Sequence, residues 1–167
     1  SVVERAEGFL HLSVSDNCVS DHHLTAPPEF IPLARPRRAM KRTISTDDAP
    51  AAVGAYSQAT TDGSTLYTAG QIPMTPDGDL HADADIATQT EIALDNVMAI
   101  LAAEDLAAED ILKTTVYLAD IEAFDVMNQA YETYFAAAAP ARSAVEAGAL
   151  PKGVGVEIEA VASYPEA

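Results

Sequence analysis

Cysteine is almost missing from this chain: Cys18 is the single one in 167 residues. That excludes a disulfide framework and any cysteine-rich metal site. Basic residues are scarce, nine against 26 acidic ones, for a formal charge of −17. So acidic a surface repels phosphate backbones, which argues against nucleic acid as a partner. No apolar run is long enough to span a membrane, and no basic-then-apolar signal opens the chain, so the expected location is cytoplasmic, with no membrane partner. An acidic excess with few lysines also suits a halophilic setting, where concentrated salt screens self-repulsion. Glycine-rich phosphate loops of the GxGxxG or GxxxxGK[ST] type are absent.

Residues 1–39 differ from the rest. They hold four of the nine basic residues, three of the four histidines and the cysteine. Phe9, Leu10 and Leu12 are too few for a core, and Pro27, Pro28, Pro32 and Pro36 favour extended chain. Cys18, His22 and His23 fall short of a zinc ligand set. This stretch reads as an N-terminal extension, disordered or foreign to the natural product, with the domain spanning 40–167.

Within that domain five basic residues (Lys41, Arg42, Lys113, Arg142, Lys152) face 21 acidic ones. The stretch PARSAVEAGALPKGVGVEIEA, residues 140–160, alternates with period two on either side of Leu150-Pro151-Lys152-Gly153, and reads as a β-hairpin. Arg142 opens its first strand and needs an anionic partner. That partner is either structural, Glu157 in an ion pair or a nearby backbone oxygen, or a ligand carboxylate gripped by two parallel hydrogen bonds.

The remaining elements follow from pattern. Lys41–Ser45 is a short strand; Gly54–Ala59 leads into a second; Thr65–Ile72 returns after the Asp62-Gly63-Ser64 turn. Residues 73–78 must be a loop. Leu94, Val97, Met98 and Leu101 mark a helix capped by Asp83 or Asp85. Ile111–Leu118 is a strand with Leu112, Thr114, Val116 and Leu118 on one face. A second helix over about 122–135 buries Phe124, Met127, Asn128, Tyr131 and Phe135. The order β-β-β-α-β-α-β-β gives an α+β domain, a single mixed sheet with two helices on one face. The other face, with Thr115, Tyr117, Glu157 and Val161, is half polar and suits burial against further copies.

The domain's only histidine is His81, which leaves no patterned triad and no metal site. A cationic anchor, a carboxylate and water remain, a set sufficient to hydrolyse an electrophile that is already activated.

The 140–160 stretch, together with APAAVGAYSQA at 49–59 and TAGQIPMTPDGDL at 68–80, resembles the RidA (YjgF) family of reactive intermediate deaminases. DNVMAIL and DILKTTVYLADIEAFDVMNQAYETYF between them are also similar. The resemblance implies a chorismate-mutase-like fold, a homotrimer with three intersubunit clefts, no cofactor, and deamination of 2-iminobutanoate and 2-iminopropanoate to 2-keto acids. It implies that Arg142 anchors the substrate carboxylate and that Tyr56, Asn128, Ala69 and Gly70 line the site. Glu157 is the candidate for holding water and moving protons. Each has a plainer reading: Tyr56 as a half-buried strand tyrosine, Asn128 as the partner of a backbone group, Glu157 as a solvated or arginine-paired acid. Three departures stand out. Ala144 replaces a frequent cysteine, Ala69 a frequent serine, and the 136–139 loop is short. A non-catalytic module binding small carboxylates is the alternative function; a ribonuclease is disfavoured by charge.

Overall fold

The computed structural model describes residues 40–135 and 138–165; the expectations for residues 1–39 lie outside them. Six strands form one mixed sheet: β1 (Arg42–Ile44), β2 (Ala59–Thr61), β3 (Thr65–Thr68), β4 (Ile111–Leu118), β5 (Ala141–Glu146) and β6 (Val156–Ser163). Two helices, α1 (Ile86–Ala102) and α2 (Phe124–Glu132), follow β3 and β4. The spatial order is β1-β2-β3-β6-β4-β5. Every pairing is antiparallel except β4 with β5, which is parallel.

Helix α1 begins where the sequence offers a cap. The Asp85 carboxylate accepts hydrogen bonds from Thr88 N (2.9 Å) and Thr88 Oγ1 (3.1 Å), satisfying a backbone donor the helix cannot reach. These bonds hold the Asp85 pKa below its ordinary value. The helix ends at Ala102, and beyond it Asp105 takes the left-handed φ of +57° and lets Leu106 N bond back to Leu101 O. Leu94, Val97, Ile100 and Leu101 of α1 share one core with Met127 and Tyr131 of α2, Val116 and Leu118 of β4, and Ile158 of β6. Both helices therefore cover the same sheet face. Thr43, Thr60, Tyr67, Thr115, Tyr117, Ser143, Val145, Glu157, Glu159 and Val161 point the other way, by the strand register and the two-residue period.

Three details depart from the sequence pattern. The 140–160 stretch is not a hairpin: β5 and β6 do not pair, because β4 lies between them and bonds to both. Ala147 N donates to Leu118 O and Ala119 N to Gly155 O, so the β5–β6 connection wraps the end of β4. Second, a bulge at Ile111/Lys113 of β4 turns Leu112 out of the core, and it is 55% exposed while Ile111 is buried. Third, β3 stops at Thr68, after which only an isolated bridge joins Gln71 to Ile158.

Buried amides tie loops to this frame. Gln58 Nε2 lies 2.9–3.0 Å from the carbonyl oxygens of Thr46, Ala49 and Pro50, and its Oε1 accepts from Thr46 N at 2.7 Å. Gln58→Leu strands these groups, so we expect a loss of about 1–3 kcal/mol in urea unfolding, accompanied by faster amide exchange over 46–50. Among the described residues no buried side-chain polar atom lacks a partner.

Candidate functional site

Arg142 sits on β5, an edge strand, in register with Thr114 of β4. Its side chain is therefore on the helix side of the sheet, where α2 presents two rings. The guanidinium carbon lies 4.5 Å from the Tyr131 ring centroid and 5.4 Å from that of Phe124. Tyr131 is itself fixed: its hydroxyl shares a 2.7 Å hydrogen bond with Thr114 Oγ1 in the core. Burial raises the Tyr131 pKa, opposed by the Thr114 bond and the charge of Arg142. The arginine thus rests on a rigid aromatic shelf, a geometry that orients a guanidinium without neutralising it.

One polar contact completes the hold. Arg142 Nη2 donates to Asn128 Oδ1 at 2.8 Å, and Asn128 Nδ2 donates to Glu132 Oε1 at 2.6 Å. Asn128 thus satisfies side chains, not a backbone group. The only ion pair among the described residues joins Arg42 to Glu104. The sequence-level alternative of an Arg142–Glu157 pair does not form, because Glu157 faces the opposite side of the sheet, across from Tyr117. Arg142 instead looks into a cleft of about 490 Å³ lined by Asn128, Tyr131, Glu132, Phe135 and Pro140.

The other candidates form a second group. Glu157 packs so close to Gly70 that a Cβ there would overlap its carboxylate. Burial pushes the Glu157 pKa up, and the nearby charge of Glu159 pushes it further. Tyr56 is not a half-buried strand residue; it precedes β2 and is 55% exposed. It borders a cleft of about 280 Å³ with Gly70, Gln71, Met74 and Lys152, and another of about 530 Å³ with Lys41, Tyr67 and Ala69. Ala69 is anchored by its N–H to Gln58 O (2.8 Å). The structure therefore brings Arg142 and Asn128 together at one edge, and Tyr56, Ala69, Gly70 and Glu157 together elsewhere. Among the described residues no cluster of three or more His, Cys, Asp or Glu is placed to hold a metal, and no helix is long and apolar enough to cross a membrane.

Phe124 and Tyr131 lie on the buried side of α2 as the sequence pattern expects, Tyr131 in the core and Phe124 packed against it; their stacking on Arg142 and the part played by Glu132 were overlooked. The signal for the latter was available: Asn128 and Glu132 are four apart, one helical turn.

The family profile described as Endoribonuclease L-PSP matches residues 46–164. A 2-iminobutanoate/2-iminopropanoate deaminase of Escherichia coli is 46% identical over 126 residues, covering 74% of this chain and 98% of that protein. The chain belongs to the RidA (YjgF) family. A deaminase of the same name from Rattus norvegicus is 45% identical over 123 residues, covering 74% of this chain and 90% of its own. Among solved structures, the YjgF protein of E. coli superposes with a TM-score of 0.71 at 45% identity, over 74% of this chain and 99% of that one. E. coli TdcF with bound serine gives a TM-score of 0.71 at 40% identity, with coverage of 74% and 99%. The mixed sheet with two helices is thus the RidA fold. Of the RidA departures, Ala144 lies on the same face of β5 as Arg142 and packs against the core. The 136–139 loop is described only in part.

Proposed function

We propose that this RidA chain is a cofactor-free hydrolytic deaminase of small 2-imino acids. The observation that carries the reading is Arg142: a guanidinium held on two rings and one amide, with no carboxylate partner among the described residues, facing a cleft. Its remaining N–H groups fit a substrate carboxylate. Water then adds to the carbon of the protonated C=N bond, passing a proton to a carboxylate, for which Glu157 with its raised pKa is suited. The proton returns to nitrogen, and as the C–N bond breaks the freed carboxylate takes the hydroxyl proton, so that ammonia and a 2-keto acid leave.

Because Arg142 and Glu157 face opposite sides of one chain's sheet, the reading requires that subunits share sites. A homotrimer with the open sheet faces turned inward supplies this arrangement. Tyr67 (51% exposed) and Val145 (42% exposed) on that face support burial against copies of the chain. The names carried by the E. coli and rat relatives support the activity. The scarcity of cations disfavours the nuclease that the family description suggests.

The test generates 2-iminobutanoate in place with an amino-acid oxidase and follows 2-oxobutanoate release. Faster release with the protein present, at a native mass near three times 17.5 kDa, is the expected result. Thermal stabilisation by 2-oxobutanoate without any acceleration would instead favour a carboxylate-sensing module.

A further inference from the structure

We propose that Glu132 makes the Arg142 cleft selective for 2-imino acids whose side chains carry no negative charge. The inference deepens the deaminase reading and rests on it for the identity of the ligand.

The argument begins with the Asn128 amide. A guanidinium can only donate and a carboxylate can only accept, so the amide has one possible orientation: oxygen to Arg142, nitrogen to Glu132. Asn128 is therefore a neutral spacer between opposite charges in one wall. Two hydrogen bonds and an amide width put the Glu132 carboxylate roughly 6–7 Å from the guanidinium. Near enough to share the cleft, the two charges are too far apart to cancel. Among the described residues Glu132 has no cationic partner either, since the only ion pair is Arg42–Glu104. It lines the same cleft as Arg142, beside Tyr131, Phe135 and Pro140.

A substrate whose α-carboxylate docks on Arg142 must run its side chain along this wall. Apolar groups meet Phe135 and Pro140 there. A second carboxylate meets Glu132 at short range. At these separations, in a half-open cleft, like-charge repulsion lowers affinity by about 3- to 10-fold. Selection here works against the wrong ligand and adds no contact to the right one. Asn128 keeps its partner if the charge alone is removed, because a glutamine oxygen at position 132 also accepts from Nδ2.

The test compares two product analogues on the full chain by titration calorimetry: 2-oxobutanoate, a monoanion, and 2-oxoglutarate, a dianion. Wild type is expected to prefer 2-oxobutanoate. Glu132→Gln should shift the affinity ratio toward 2-oxoglutarate by about 3- to 10-fold, with an unchanged melting temperature. The wild-type preference should also narrow in molar salt. An unmoved ratio, an equal change for both ligands (an orienting role for Glu132 alone), a wild-type preference for 2-oxoglutarate, or no keto-acid binding at all would each overturn the proposal. The deaminase reading fails separately, by selective binding without faster hydrolysis of 2-iminobutanoate.

Discussion

Arg142→Ala is expected to lower kcat/KM for 2-iminobutanoate by about 100- to 1,000-fold, the worth of a charge-assisted, two-pronged carboxylate contact. Among the described residues no neighbouring side chain can stand in: Arg42 is tied to Glu104, and the Arg142 cleft is otherwise lined by neutral and acidic groups. Arg142→Lys should recover little. An ammonium keeps the charge but loses the planar stack on Tyr131 and cannot bond Asn128 and both carboxylate oxygens at once. The loss should fall on KM and kcat together, since an unanchored imine neither stays nor aligns. Melting temperature should scarcely move, because the guanidinium is half-exposed on an edge strand. A lysine variant with wild-type kinetics would refute the bidentate assignment.

Glu157→Gln comes next, with an expected fall in kcat of about 100-fold or more and an opposite effect on stability. Burial, then Glu159, raises the folded-state pKa of Glu157 above its ordinary value. Below the ordinary carboxylate range the group is protonated in both folded and unfolded chains and costs nothing. As pH rises, the unfolded chain ionises first, so native stability falls across the interval up to the raised folded value. Removing the acid removes that fall. The variant should melt about 2 °C higher than wild type at neutral pH, the size limited by the half-exposure of the group, and the difference should vanish at low pH. Gly70→Ala separates position from charge: it displaces the carboxylate without deleting it, so activity should drop with no gain in stability. Calorimetric scans from pH 4 to 8, paired with the imine assay, check both variants. If Glu157→Gln proves less stable than wild type at pH 7, Glu157 is a structural partner and not a stored cost.

Much of the scaffold was legible because two periodicities carry it. The i, i+3, i+4, i+7 stripe of α1 and the alternation of β6 assigned faces correctly, as the buried Val156, Ile158, Ala160 and Ala162 attest. Alternation, however, states which way a side chain points and not which strand lies beside it. The 140–160 stretch alternates as a hairpin would, yet a strand 30 residues upstream slips between its halves, because βαβ connection through α2 puts β5 parallel to β4. Leu112 failed for a related reason: one extra residue in a strand reverses every expectation upstream of it. At the site, Arg142 and Asn128 could be singled out as residue types out of place, but their contact joins an edge strand to a helix and leaves no local trace. Glu157 was legible as an acid on an open face. Its distance from Arg142 within one chain was not, since sharing a short segment of sequence says nothing about sharing a side of the sheet.

The placement of β5 has a consequence for how such a protein can change. If the proposed function holds, the cation that anchors the substrate rides on the outermost rung of the ladder, with hydrogen bonds to β4 on one flank and the α2 rings above. Drift in α2 can retune what the anchor accepts while the interior, centred on β6 and α1, stays as it is. Ligand preference and structural endurance are thereby lodged in separate parts of the sheet, free to evolve at different speeds.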